Sequence, residues 1–378
     1  MNASLKHRVI SRQLTTEIIA GKYSKTARLP SEAQLVKRFG VSRPTVGRAM
    51  RELQEQGLIE RRAGSGTYIR EERDRAHSTR PAIPQIGLLV PSLFHTQIFE
   101  PICGELASLA RSHDYGLWWV PNVSSVSETR MTTAEAENLC GQFIERGVMG
   151  VFFVSFEHQI DGQVTNQRIT ERLKQAGIPV VLLDRDIAVF PHRSEFDIVT
   201  VDNVAGSYML ADHLIKLGVK RMIYVKRPLT APTVDARITG AQKAILENGL
   251  EIGQPFVYSG DPTDVKFVRT FAQNQGVEAI LCTYDHVAAE LLQTLTRIGV
   301  RVPKDVRLVG FDNVRFASLL SIPLTTVEQP VRDIAVTAFS ALRERMANPS
   351  LPPRTLVLPP RLVVRESCGA YLNRRSNK

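Results

Sequence analysis

Ile10, Leu14 and Ile18, with Val9 beside them, recur about one helical turn apart and predict an opening amphipathic helix that ends near Gly21. Ser31-Glu-Ala-Gln34 has capping-box spacing, so a second helix is expected to start there and to stop at Gly40. After the short Gly40-Val41 turn, Ser42 and Pro44 suit the start of a third helix, whose inner stripe is Val46, Ala49, Met50 and Leu53. That stripe leaves Arg43, Thr45, Gly47 and Arg48 away from the core, towards the helix start. Residues 58–62 and 67–69 then read as two short strands joined by Ala63-Gly64-Ser65-Gly66.

Residues 70–84 are charged, lack periodicity and end in a proline-rich stretch, as a linker does. From Gln85 the pattern changes to short apolar runs at 86–91, 117–121, 150–155, 178–184, 197–202, 221–226, 278–285 and 306–312. Helical patterns alternate with them at 98–113, 132–146, 203–217, 235–248, 286–298 and 331–347. Strands this apolar, alternating with helices, imply α/β architecture with parallel sheets covered on both faces. Eight or more such units suit two doubly wound sheets better than one. Most runs end in a polar residue or proline, among them Ser155, Asp184, Asp202, Asp285 and Asp312, and ligands of open α/β sheets bind beyond such strand ends.

Charge sharpens this division. The chain has 378 residues and a formal net charge of +10, and residues 1–80 alone hold 17 Lys/Arg against 8 Asp/Glu, leaving the remainder nearly neutral. A basic module fused to a neutral one suits phosphate binding by counterion release. Two helices, a tight turn, and small or basic residues at the start of the second match a helix entering a DNA major groove, with the hairpin as a wing. Arg61 and Arg62 supply charge there, and Gly64 and Gly66 let backbone approach a phosphate or the minor groove. Each lone arginine, Arg48, Arg61 or Arg62, is equally readable as a solvated surface charge. Cys103, Cys140, Cys282 and Cys368 lie far apart without metal-ligand spacing, so no metal or other cofactor is expected. Neither a secretory leader nor a membrane anchor is readable, which points to the cytoplasm.

The stretch LPSEAQLVKRFGVSRPTVGRAMRELQEQGLIERRAGSGTYI resembles the winged helix of the gluconate-repressor (GntR) family. By that resemblance Ser42, Arg43 and Thr45 face base edges or phosphates, and Gly66 with Thr67 sits at the wing. The chain departs from the family at Ala33 and Gly47, where arginine is common, with Arg48 in a place to compensate.

The stretch GFDNVRFASLLSIPLTTVEQPVRDIAVTAFSALRERM is similar to the end of the effector domain of the lactose/galactose-repressor (LacI) family, itself like periplasmic sugar-binding proteins. IGLLVP, IPVVLLDRD, VDNVAGSYMLADHLIKLGVKRM and the Arg237-Ile-Thr-Gly segment extend the likeness over about residues 84–366. It implies a periplasmic-binding-protein-like domain of two subdomains, residues 84–184 with 327–348 and 185–326 with 349–366, with a small effector in the cleft. It places Phe94 and His95 after the first strand, Arg237 as a fork onto hydroxyl or carboxylate groups, Asp312 as an acceptor for hydroxyls, and Gln329 at the last crossover. Asp285 stands in the family's Asn-Asp pair, whose first member here is Tyr284, and Pro262 replaces a stacking tryptophan of some sugar binders. Arg185 reads equally as a ligand contact or as a hinge partner of Asp184 or Asp186.

The expected organisation is a winged helix-turn-helix at 1–70, a linker at 71–84, an effector-binding and dimerisation domain at 85–366 and a basic tail at 367–378. The expected activity is that of a DNA-binding repressor, a homodimer on double-stranded operator DNA, controlled allosterically by a small carbohydrate-like effector. A nucleobase or sugar acid acting as corepressor is the alternative effector. An enzyme is disfavoured because no Walker, GxSxG, HExxH or helix-opening GxGxxG motif occurs, and a free solute-binding protein because of the basic module.

Overall fold

A computed structural model describes residues 3–19, 22–23, 28–55, 58–62, 66–69, 83–91, 98–119, 131–157, 161–272 and 276–371. The chain forms two compact units, Met1–Ile83 and Pro84–Lys378.

In the first unit α1 (Ala3–Ile19) buries Ile10, Leu14 and Ile18, a spacing of four that keeps one face inward. Val9 lies off this face and is exposed, contrary to the sequence reading. Helix α2 (Glu32–Phe39) starts with the expected reciprocal cap: Gln34 N donates to Ser31 Oγ at 3.3 Å and Ser31 N donates to Gln34 Oε1 at 2.8 Å. It stops at Gly40, whose φ of 61° favours glycine. Helix α3 (Arg43–Glu55) turns Val46, Ala49, Met50 and Leu53 onto Leu14 and Leu35, closing a small apolar core. Strands β1 (Ile59–Arg62) and β2 (Gly66–Ile69) pair antiparallel, Ile59 opposite Ile69.

The second unit contains two lobes. In the first, β3 (Gln85–Leu89), β4 (Gly116–Trp118), β5 (Gly150–Phe153), β6 (Val180–Leu183), β7 (Asp197–Val201) and β13 (Thr355–Leu358) form one parallel sheet. Its order is β13-β7-β6-β5-β3-β4. Val151 and Phe153 of β5 face α5 (Thr133–Arg146) and α6 (Gly162–Gln175), whereas Phe152 faces α4 (Phe99–Ser112) and α11 (Val331–Ala347). Coverage on both faces is why these strands read as unbroken apolar runs.

In the second lobe β8 (Met222–Lys226), β9 (Val257–Ser259), β10 (Ala279–Cys282) and β11 (Arg307–Val309) pair in parallel in the order β11-β10-β8-β9. Helices α7 (Asn203–Lys216), α8 (Pro232–Glu247), α9 (Val265–Ala272) and α10 (Asp285–Arg297) complete its core. A Cβ at Gly240 would meet Val204 O at 2.1 Å, so glycine is what lets α8 lie close against α7. The antiparallel pair β12 (Thr326–Glu328) and β14 (Arg361–Val363) packs near the crossings.

Two sequence-based boundaries are corrected. Residues 197–201 and 355–358 belong to the first lobe, because β7 pairs with β6 and β13 pairs with β7. The fully buried Asp197 carboxylate locks that edge, accepting Arg345 Nη2 at 2.9 Å and Arg354 Nη2 at 3.1 Å. The chain therefore crosses between lobes after Val201, after Glu328 and after Leu358. Residues 367–371 are also no tail: Ser367 Oγ donates to Leu308 O at 2.5 Å and accepts Thr325 N at 2.8 Å. Residues 372–378, and 71–82 of the expected linker, lie outside the described residues.

Tyr23 Oη and Arg38 Nη1 donate to Glu17 Oε2 at 2.5 and 2.9 Å, and Arg38 Nη2 donates to Oε1. Arg38, the strongest influence, outweighs burial and holds the Glu17 carboxyl at about 2, against an ordinary value of 4.5. Its contribution to stability is thus complete above about pH 4.5 and is lost as pH falls towards 2. Hydrogen-exchange protection of the α2 amides should fall over this window and lie lower but flatter in Glu17→Gln.

Candidate functional site

Two groups of residues single themselves out, one in each unit. In the first unit Ser42, Arg43 and Thr45 lie together at the start of α3, with Ser42 Oγ 2.9 Å from Thr45 Oγ1. The Arg43 side chain is 82% exposed, and its Nε lies 3.7 Å from Glu32 Oε2. Arg61 Nη2 donates to Glu32 Oε1 at 2.7 Å, so one carboxylate orients an arginine of the third helix and one of the hairpin. Arg48 is exposed one turn further along. Gly66 (φ 121°) faces the Arg28 guanidinium so closely that a Cβ would meet it at 2.7 Å, and Thr67 O accepts Leu29 N. Arg62 pairs with Gly66 through its backbone; its side chain, and Gly64, lie outside the described residues.

In the second unit the strand ends of the two lobes bring a buried polar cluster together. Arg237, in the second turn of α8, is 2% exposed and stacks 3.6 Å from the Phe311 ring centroid. Its Nε donates to Asn203 Oδ1 at 2.8 Å and its Nη1 to Thr283 O at 2.7 Å, while Nη2 lies 3.8 Å from Asp312 Oδ1. Gln329 Nε2 donates to the same Asp312 oxygen at 2.7 Å. Burial pushes the Asp312 carboxyl well above the usual range, despite Arg237. Arg237, Asp312 and Gln329, which were singled out from the sequence, therefore form one constellation. It combines a fork of donors, an acceptor and an amide.

On the first lobe Arg185 is 7% exposed and donates through Nη2 to Ser155 O at 2.7 Å and through Nη1 to Asp184 Oδ2 at 3.0 Å. The hinge-partner reading of Arg185 thus has Asp184 as its partner; Asp186 instead holds Ser194 N and Arg193. Burial raises the Asp184 carboxyl in spite of Arg185. Asp184 and Asp312 both follow sheet strands and both adopt positive φ, 72° and 116°. Such backbone is uncommon outside glycine and persists where surrounding structure over-determines it.

Sequence reasoning missed Glu157. It follows β5 by four residues, so the rule that sites gather at strand carboxyl ends pointed to it. Its Oε1 lies 3.4 Å from Arg185 Nη1 in its own lobe. Its Oε2 accepts Ala231 N and Tyr284 Oη, each at 3.2 Å, from the other. Beside it lies a pocket of about 330 Å³ between residues 155–157, 163, 166 and 186–189 of the first lobe and 229–232 of the second. Phe94 and His95 lie outside the described residues.

Asp285 is a correction. Its carboxylate is fully buried and committed to the fold, accepting Thr326 Oγ1 at 2.6 Å and Val314 N at 2.9 Å. It braces β12 and the turn after β11 and presents nothing to a ligand. Burial outweighs these bonds and pushes its carboxyl up to about 7. Between its ordinary value near 4 and about 7 the folded chain holds a proton that the unfolded chain releases, so this group makes stability decrease as pH rises. Urea unfolding of Asp285→Asn should show a smaller loss of stability between pH 5 and 7 than the parent.

Residues 6–69 match the model for bacterial regulatory proteins of the gntR family, and residues 211–368 match a periplasmic binding protein-like domain. The arabinose metabolism transcriptional repressor of Halalkalibacterium halodurans is 22% identical over 374 residues, covering 96% of each chain. The HTH-type transcriptional repressor PurR of Escherichia coli is 31% identical over 195 residues, 50% of this chain and 56% of that protein. A solved complex of the transcriptional regulator CelR with cellobiose shares the fold, with a TM-score of 0.63 at 23% identity over 86% of this chain and 91% of its own. This chain thus joins a gntR-family helix-turn-helix domain to a periplasmic-binding-protein-like domain, and is a DNA-binding transcription regulator.

Proposed function

We propose that this regulator is a cytoplasmic repressor, dimeric on a roughly palindromic operator, whose DNA affinity is set by a small carbohydrate-like effector held between the lobes of the larger domain. The observation that carries the effector reading is the buried Arg237–Asp312–Gln329 constellation, where a guanidinium, a carboxylate and an amide are gathered where strands end. Hydroxyl groups both donate and accept, so a polyol satisfies such a set without bringing uncompensated charge into a buried place. The cellobiose complex of the structural neighbour supports the same class. Asp285 stands behind this set as a brace, and Phe94 and His95 remain candidates for its opposite wall.

Effector seated against Arg237 and Asp312 draws the lobes together, with Glu157 as the contact already spanning them. Rotation of one lobe against the other changes the spacing of two recognition helices in the dimer, so effector and operator affinities are coupled reciprocally. On the DNA side Ser42, Arg43 and Thr45 read the major groove. Arg48, Arg61, Arg62, Gly64, Gly66 and Thr67 contact phosphates or the minor groove. The polar cluster binds and carries out no reaction.

Thermal denaturation across a panel of neutral sugars tests the effector class, because a ligand of the folded state raises the melting temperature by mass action. At least one sugar should do so, and Asp312→Asn should abolish the shift. With duplexes selected from a random pool, Arg43→Ala should weaken binding by about 1–3 kcal/mol and leave the sugar response intact. Unchanged DNA affinity would remove Arg43 from the interface.

A further inference from the structure

The carboxylate that the carbohydrate reading sets against a ligand is carried on an uncommon turn. After β11 the chain runs beside β12, Gly310 N donating to Thr325 O at 2.9 Å and Asp312 N to Val327 O at 2.8 Å. It then leaves through two successive residues of positive φ, Asp312 at 116° and Asn313 at 53°. Asparagine and aspartate tolerate such backbone better than most residues, but a pair in succession persists only where neighbours hold it. Resting on the carbohydrate reading, we infer that Arg365 is a positioning residue of the effector site, acting through Asn313 to hold the Asp312 carboxylate towards Arg237, Gln329 and the ligand.

Arg365 is half-buried and lies two residues beyond β14, in the segment that follows the last crossing. Its Nη2 donates to Asn313 Oδ1 at 2.6 Å and its Nη1 to Leu324 O at 2.8 Å, while its backbone N donates to Thr325 Oγ1 at 2.8 Å. A planar guanidinium suits this task, because two of its nitrogens hold two acceptors at a set separation. The rest of Asn313 is fastened to β12: its Nδ2 donates to Glu328 Oε1 at 3.2 Å and its backbone N to Thr326 Oγ1 at 3.3 Å. Asp285 closes the turn beyond it by accepting Val314 N at 2.9 Å. Among the described residues Arg365 makes no hydrogen bond or ion pair with Arg237, Asp312 or Gln329, so its contact with the turn that carries the carboxylate is Asn313.

The experiment is calorimetric titration of the full chain with the sugar giving the largest thermal shift and with its deoxy analogues. Arg365→Gln and Asn313→Ala should each weaken the sugar by at least about tenfold. The double variant should bind no more weakly than either single one, because both changes release the same turn. One deoxy analogue, lacking the hydroxyl that Asp312 accepts, should bind the parent and both variants alike. A general loss of packing would instead weaken every analogue by a similar factor, and that result would overturn the inference while leaving the carbohydrate reading standing. Penalties that multiply in the double variant, or an unchanged sugar affinity in either single variant, would do the same. If Arg365→Gln does not fold, Asn313→Ala, which leaves Arg365 its bond to Leu324 O, decides by the same comparison across analogues. If no sugar binds the parent chain, the carbohydrate reading itself fails and this inference with it.

Discussion

The larger domain depends on one buried guanidinium. A charge taken out of water is tolerated only when its hydrogen bonds and countercharge are supplied nearby. For Arg237 these come from Asn203 at the start of α7, Thr283 after β10 and Asp312 after β11, with Phe311 stacked on its face. One side chain therefore ties the start of α7 to the ends of β10 and β11. Gly240, one turn on, brings α8 close enough to α7 for that geometry to exist.

Around this hub, aspartates of similar appearance divide into different tasks. Asp285 and Asp312 both follow strands of the second sheet, and burial raises both carboxyls. Asp285 is consumed by Thr326 and Val314, whereas among the described residues the Asp312 side chain meets only Gln329 and the distant edge of Arg237. Asp197 and Asp202 show two further uses, a salt-bridged lock on β7 and a cap for α7, where Asp202 Oδ1 accepts Ala205 N at 2.8 Å. Partners, not position after a strand, set these carboxylates apart.

Two lobes linked by three crossings suit a regulator because each crossing can bend while both sheets stay rigid. Glu157 adds a contact across the cleft that backbone topology does not require. In the DNA-binding unit Glu32 has a comparable part, since Arg43 and Arg61 both lean on its carboxylate. In each case a single acid orients cations or donors carried by separate elements, at small cost in stability and with large effect on geometry.

By itself the sequence determined what local periodicity and capping control. The helix-turn-helix with its Ser31–Gln34 box and Gly40 stop, the hairpin and the alternation of apolar strands with helices were all legible, and the sequence pointed to Arg237, Asp312 and Gln329, which the fold brings together. Strands of three residues with partly exposed faces, such as β9 and β14, carry too little pattern to be read. Tertiary structure alone decided that residues 197–201 and 355–358 complete the first sheet, because pairing partners far apart in sequence leave no local trace. It also decided that Asp285 braces while Glu157 spans the cleft, since a carboxylate's role is set by the donors that folding brings to it.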